Sequence, residues 1–122
     1  MEKEDCIADG EALWEMDDKR LLASACFCFM GKTDNCEELV LLREFRDVYL
    51  ARYEEGRKLI DLYCVVAYQL VDKINASKDK NKYYEFAYNE IKKCLHFIKN
   101  RENEKATAHY IYLVLKLSSY LF

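Results

Sequence analysis

Residues 57–76, RKLIDLYCVVAYQLVDKINA, carry the strongest helical signal in this chain. Their apolar side chains recur at spacings of three and four residues, which places them on one face of an α-helix. The run from 62 to 68 is apolar on every side, so we expect this helix to be the central one. The core face that the spacing predicts consists of Leu59, Ile60, Tyr63, Val66, Ala67, Leu70, Val71 and Ile74.

Four further helices are predicted around this one, at about 11–30, 36–53, 82–100 and 104–121. Gly31 follows the first of them, where a C-cap uses positive φ, and Gly56 predicts a break near 55–57. The clearest loop is 77–82. Capping residues are expected at Asn35 with Glu38, at Asp34 with Glu37, and at Asn103.

Composition supports the same fold class. The chain has 122 residues with three glycines and no proline, and 52% of its residues are hydrophobic. So few turn residues disfavour a sandwich or barrel, whereas helix interiors exclude both glycine and proline. We therefore predict an all-α protein: a compact single-domain bundle over 1–122, with about five helices that are mostly antiparallel neighbours. Residues 1–10 show no period and are expected to form a frayed arm.

Charge and targeting signals narrow the functional classes. A net charge of −3 argues against nucleic-acid binding, which needs a basic face. The first fifteen residues are acidic and lack the basic start and apolar run of a secretory signal. The longest apolar runs are too short for a membrane span. We expect a cytoplasmic protein without cofactor, in which the six cysteines are unpaired thiols.

The cysteines are the first candidates for chemistry. Cys26 and Cys28 lie two residues apart on a predicted helix, so they point to different sides and cannot share one metal ion. We therefore predict no metal site. Cys36 falls in the first turn of its helix, where backbone N–H groups favour a thiolate. A thiol-dependent enzyme or redox sensor using Cys26 or Cys36 is one hypothesis, with His96 and His109 as the imidazoles available to act as bases.

The segment LREFRD at 42–47 supplies the second candidate site. Arg43 and Asp47 are four residues apart and can meet on one helix face. Arg46 projects from another part of the surface. Arg43 and Arg46 predict either a site for a small anion or nucleotide, or arginines that hydrogen-bond to the carbonyl groups of a neighbouring helix.

Tyrosine is the third unusual feature, with ten residues in the chain. Each buried hydroxyl needs a partner, and interfaces favour tyrosine. The final third is therefore predicted to carry a surface for a protein partner or a homodimer seam. The alternative is amphipathic packing with the hydroxyls in water. The residues concerned are Tyr83, Tyr84, Tyr88, Tyr110, Tyr112 and Tyr120.

Several of these segments together resemble a known family. The residues are LASAC at 22–26, GKTDNCEEL at 31–39, LREFRD at 42–47 and LIDLYCVVAY at 59–68. They are similar to the uncharacterised bacterial CFI-box family, which has a CFIATAAYG-type opening and an LRxFRD helix. The resemblance covers about 20–98 and implies a bacterial or phage-borne protein, with Arg43, Arg46 and Asp47 in a shared structural core.

Three positions depart from that family. Its opening cysteine falls on Arg20, and two of its prolines fall on Thr33 and Tyr68. Any chemistry of that cysteine is therefore absent here, and the resemblance implies a fold rather than a reaction. The leading hypothesis is a non-catalytic cytosolic module for protein interaction or regulation. The thiol-dependent protein and the anion-binding module are the alternatives.

Overall fold

The chain is all-α. The computed structural model describes residues 22–33 and 36–122, and this part of the chain contains no strand. It also contains no helix that is long and apolar enough to cross a membrane. The predicted arm at 1–10 and the predicted helical residues 11–21 lie outside the described part. Its α-helices are α1 Leu22–Phe29, α2 Glu37–Glu44, α3 Glu54–Ala76, α4 Lys80–Lys99 and α5 Asn103–Leu121.

Short connections set the arrangement of the last three helices. Residues 77–79 join α3 to α4, and residues 100–102 join α4 to α5. Connections this short return each helix alongside the one before it, so these three helices are antiparallel neighbours. Helix α4 packs against α1, α2, α3 and α5. The predicted helical bundle is confirmed.

The core is built from one face of each helix. Ile60, Ala67 and Leu70 of α3 are buried, as the spacing predicts, but Leu62 and Val65 on the opposite side are exposed. The apolar run at 62–68 therefore does not mark a helix surrounded by others. The buried hydrophobic residues of the core cluster are Leu22, Cys26, Phe27, Leu39, Ile60, Cys64, Ala67, Leu70, Val71, Ile74, Tyr84, Ala87, Ile91, Leu95, Leu113 and Leu117.

Two helices end in the same backbone motif. After α1, the N–H of Gly31 donates to the carbonyl of Cys28, and the N–H of Lys32 donates to that of Phe27. Gly31 has φ of 84°, which confirms the predicted C-cap. After α4, Arg101 occupies the equivalent position with φ of 61°. Arginine carries a Cβ that this left-handed conformation disfavours, so Arg101 is a strained position.

The predicted helix 36–53 is wrong in its second half. After α2 the chain forms a π-helical turn at Phe45–Tyr49 and a 3₁₀ turn at Leu50–Arg52. The break comes at Tyr53, whose backbone is extended, rather than at Gly56. Gly56 instead lies in the first turn of α3, where its Cα faces the carbonyl of Leu50. A Cβ there would stand 1.8 Å from the Leu50 oxygen.

The predicted caps are each displaced along the chain. Cys36, rather than Asn35, occupies the N-cap position of α2, so Glu38 does not stand at the position that a capping box requires. Asp34 and Asn35 themselves lie outside the described residues. The N-cap of α5 is Glu102, one residue before Asn103. The residue at which a helix ends depends on packing against neighbouring helices. The spacing of apolar residues along the sequence does not specify that packing.

Substitution of Gly31 and of Gly56 by alanine should lower the free energy of unfolding by different amounts. Gly56→Ala should lower the free energy of unfolding by about 3 kcal/mol, because the added Cβ meets a backbone carbonyl. Gly31→Ala should cost about 1 kcal/mol, because no atom lies within 4 Å of its added Cβ and only the backbone is strained. Urea unfolding measures both. Equal losses would contradict the close approach at Gly56.

Arg101→Gly should raise the free energy of unfolding by about 1 kcal/mol, because it relieves a left-handed arginine. The matched control is Lys99→Gly, two residues earlier in the last turn of α4, which should lower the free energy of unfolding by about 1 kcal/mol. Urea unfolding measures both changes. A lower free energy of unfolding in both variants would contradict the strain at Arg101.

Candidate functional site

An apolar groove lies between α3 and α5, and residues of α1, α2, the π-helical turn and the 3₁₀ turn complete its lining. Its volume is about 290 Å³. Leu62 on α3 and Leu115 on α5 stand at its mouth, 62% and 65% exposed. The groove residues are Ala23, Ser24, Leu39, Leu42, Arg43, Phe45, Arg46, Leu50, Leu59, Ile60, Leu62, Tyr63, Val66, Thr107, Tyr110, Ile111, Val114, Leu115 and Ser118.

Both arginines of the LREFRD segment lie in the wall of this groove. Arg43 comes from the last turn of α2, and Arg46 comes from the π-helical turn. The Nε of Arg46 donates to Oδ1 of Asp47 at 2.9 Å. Asp47 thus contacts its immediate neighbour Arg46, whereas the sequence analysis paired Asp47 with Arg43. The sequence predicted these two arginines as site residues, and the fold places both on one groove.

Two tyrosines meet inside the groove. The hydroxyls of Tyr63 and Tyr110 are 2.9 Å apart, and their rings meet edge to face with 5.4 Å between centroids. Burial raises the pKa of Tyr63 to about 12, although the hydrogen bond with Tyr110 lowers it in part. Burial also raises the pKa of Tyr110 well above its ordinary value. Both phenols are therefore neutral at pH 7. Tyr110, which the sequence predicts for a partner surface, is half-buried and lines the groove.

The thiols are placed apart from one another. Cys26 is fully buried, and its Sγ donates to the backbone carbonyl of Tyr84 at 3.3 Å. Burial raises the pKa of Cys26 to about 12, so it is a thiol and not a thiolate at pH 7. Cys28 is exposed on the other side of α1, as the predicted helical geometry requires. No group of three metal-ligating side chains occurs in residues 22–33 and 36–122.

Cys36 has a different environment from Cys26. It is half-buried at the N-cap of α2, with an extended backbone. The pKa of Glu38 is lowered, chiefly by a backbone N–H and in part by Lys32 and by the Cys36 thiol. Both predicted imidazole bases have side-chain partners, His96 at the end of its own helix and His109 on the neighbouring helix α4. His96 contacts Nδ2 of Asn100 at 3.1 Å, and His109 contacts Glu90 at 2.7 Å.

The six tyrosines of the final third do not form one surface. Tyr84 is only 3% exposed, and its hydroxyl donates to Oδ1 of Asn75 at 2.8 Å. Tyr88 packs against Phe27, with 5.2 Å between ring centroids. Only Tyr112 and Tyr120 are exposed. Tyr83 is half-buried, and its ring lies 6.2 Å from that of Tyr120. A partner surface that includes Tyr112 and Tyr120 stays a prediction, whereas Tyr84 is a core residue.

The sequence analysis did not predict one polar cluster, which consists of Glu90, Lys93 and His109. Glu90 is buried on α4, where its Oε1 contacts Nε2 of His109 on α5 at 2.7 Å and its Oε2 accepts from Lys93 at 3.2 Å. Its sequence signal is a carboxylate between Ala87 and Cys94, at the spacing of the buried face of α4. The pair links two neighbouring helices through a buried carboxylate, and it lies outside the groove.

Comparisons with family models, with curated proteins and with solved structures give no match. The CFI-box resemblance therefore stays a prediction.

Buried thiols predict that the protein becomes less stable in alkali. Burial raises the pKa of Cys26 and Cys94 from 9.0 to about 12, so the unfolded chain releases these protons first as pH rises. Their contribution to stability is complete below pH 9 and is lost between about pH 9 and 12. Each thiol should remove about 1.4 kcal/mol of unfolding free energy per pH unit there. Urea unfolding at a series of pH values measures the slope.

Single variants test the source of that slope. Cys26→Ala removes one buried thiol and should make the slope shallower by about 1.4 kcal/mol per pH unit. Cys28→Ala removes an exposed thiol from the same helix and should leave the slope as it is. An unchanged slope in Cys26→Ala would contradict a buried neutral thiol.

Proposed function

We propose that this protein is a non-catalytic interaction or regulatory module of the cytoplasm, and that the apolar groove is its binding surface. The observation that carries the proposal is the groove itself, about 290 Å³ with an almost wholly apolar lining. Concave apolar sites with a few polar groups are the usual form of a ligand site. Both predicted arginines face the same space, which links the groove to the sequence candidates.

The mouth of the groove supports the same proposal. Leu62 and Leu115 are more than half exposed, and Ile111 beside them is also exposed. Monomeric proteins seldom leave contiguous apolar side chains in water without a binding role. An occupant that covered the mouth would remove these side chains from water and gain about 25 cal/mol for each Å² of apolar surface buried.

The arrangement of the thiols favours binding over catalysis. A cysteine nucleophile needs a thiolate with a base in reach, and the buried thiol of Cys26 contacts a backbone carbonyl instead. The partners of His96 and His109 are Asn100 and Glu90. The thiol-dependent alternative stays a hypothesis for Cys36, and its alkylation rate in the native protein tests it.

An uncharged fluorescent probe tests the groove as a binding surface. N-phenyl-1-naphthylamine should bind the native protein with increased fluorescence, because the groove accepts apolar rings. Leu62→Lys places a charge at the mouth and should weaken the probe Kd by about tenfold, the equivalent of 1.4 kcal/mol. The matched control is Val65→Lys on the same helix, since Val65 is exposed and lies outside the groove.

Val65→Lys should change the probe Kd by less than about twofold, because exposed charges away from a site contribute little. Equal effects of the two substitutions would show that the probe binds elsewhere. Failure of the probe to bind at all would count against the groove as a binding surface. The far-ultraviolet circular dichroism of each variant verifies that it is folded.

A further inference from the structure

We infer that residues 11–21 of this same chain are an intramolecular occupant of the apolar groove, with Leu13 and Met16 seated in it, and that an external ligand must displace them. This inference rests on the proposed function, because it names the regulation of that same groove. Three features carry it: the point where the segment joins the fold, the helical phase of its apolar residues, and the lining of the groove.

The segment joins the fold at the wall of the groove. Leu22, the first residue of α1, is fully buried, and the next two residues, Ala23 and Ser24, line the groove. Residue 21 is bonded to Leu22, so its Cα lies about 3.8 Å from the Cα of a core residue. A tether this short gives the segment an effective concentration on the order of millimolar, against which a free ligand has to compete.

The helix predicted over 11–30 places two apolar side chains of the segment on the face that meets the groove. Met16 precedes Ala23 by seven residues, and Leu13 precedes Ser24 by eleven. Residues at these spacings return to the same face of an α-helix, because about 3.6 residues complete one turn. A helix continuous with α1 would therefore turn Leu13 and Met16 to the same side as the two groove residues of α1.

The segment is also long enough for the groove. On a helix, Met16 and Leu13 stand about 9 and 14 Å from Leu22 along the axis, at a rise of 1.5 Å per residue. The groove residues of α5 extend from Thr107 to Ser118, which is about 16 Å at the same rise. Both apolar side chains of the segment are therefore within the length of the groove from the residue that tethers them.

The lining accepts aliphatic side chains without an unsatisfied polar group. The hydroxyls of Tyr63 and Tyr110 bond to each other, and the hydroxyl of Thr107 donates to the carbonyl of Asn103 at 2.9 Å. These three hydroxyls already have partners within the protein, so apolar side chains can cover them at no cost in hydrogen bonds. Leucine and methionine bring no N–H or O–H group that would need a partner there.

The volume of the groove fits two such side chains. A protein cavity of about 150 Å³ holds one benzene molecule, which has six carbon atoms. The groove, at about 290 Å³, therefore has room for close to twice that number. Leu13 and Met16 together bring about eight non-hydrogen side-chain atoms, which this space accommodates.

Net charges of opposite sign favour contact between the segment and the rest of the chain. Residues 1–21 contain eight acidic and three basic side chains, a net charge of −5, whereas residues 22–122 carry +2. Among the residues that the structure describes, the lining of the groove includes no acidic side chain. The acidic segment therefore meets no like charge in the wall of the groove.

The only tryptophan of the chain, Trp14, lies between Leu13 and Met16 in the sequence and reports on the segment in the full-length protein. Its acrylamide quenching constant should be about twofold lower in the native protein than in a synthetic peptide of residues 11–21 in the same buffer. The reason is that a docked segment shields one side of the indole ring from the quencher.

Substitutions in the groove show where the segment docks. Leu62→Lys and Leu115→Lys change exposed residues on the two walls of the groove, and each should raise the quenching constant of the native protein toward that of the peptide. The matched control is Val65→Lys, because Val65 is exposed on α3 and lies outside the groove. It should leave the quenching constant unchanged.

Substitutions in the segment test the same contact from the other side. Leu13→Ser with Met16→Ser should tighten the Kd of N-phenyl-1-naphthylamine by about threefold, because the segment then competes less for the groove. The matched control is Ile7→Ser, which removes an apolar side chain from outside the predicted helix. It should change the probe Kd by less than about twofold.

The outcomes separate this inference from the proposed function. A quenching constant equal to that of the peptide, or one that both groove substitutions leave unchanged, overturns the inference, while probe binding still supports the groove as a binding surface. Protection of Trp14 that increases with protein concentration assigns the occupant to a second copy of the chain and overturns the intramolecular contact. A silent probe in every variant, together with a Trp14 as exposed as in the peptide, overturns both.

Discussion

The hydrogen bond between Tyr63 and Tyr110 joins α3 to α5, and the apolar groove depends on it. Each hydroxyl supplies the partner of the other, so two phenols can stand inside the fold without an unsatisfied polar group. The edge-to-face contact of their rings keeps the two helices apart by the width of aromatic side chains.

The close approach of Gly56 to the Leu50 carbonyl is the second constraint. It directs the chain from the 3₁₀ turn into α3, and Nη1 of Arg57 secures the same bend by donating to the carbonyl of Ala51 at 2.9 Å. The π-helical turn precedes this bend and carries Arg46 on the wall of the groove. A π-helical turn inside a helix often occurs at a functional site. Here it brings both arginines of the LREFRD segment to one space.

Local signals predicted most of the architecture. The periodic segment 57–76 corresponds to α3 Glu54–Ala76, and Gly31 is the left-handed C-cap that its position after an apolar run indicates. Hydrophobic spacing is a property of one helix, so it predicts such elements well. It failed at 45–53, where a π-helical turn and a 3₁₀ turn replace the α-helical hydrogen bonding and the Leu50 carbonyl faces Gly56 of the next helix.

The sequence predicted which residues are candidates for function, but not how the fold arranges them. The amino-acid sequence alone is enough for the all-α class, for Arg43 and Arg46 as the basic residues of interest, and for the separation of Cys26 from Cys28, because these follow from the period of a helix. Burial is a property of pairs of elements, so only the folded chain shows that Cys26 and Tyr84 are inside. The same holds for Leu62, which is exposed, and for the groove, which exists only where α3 and α5 meet the end of α2.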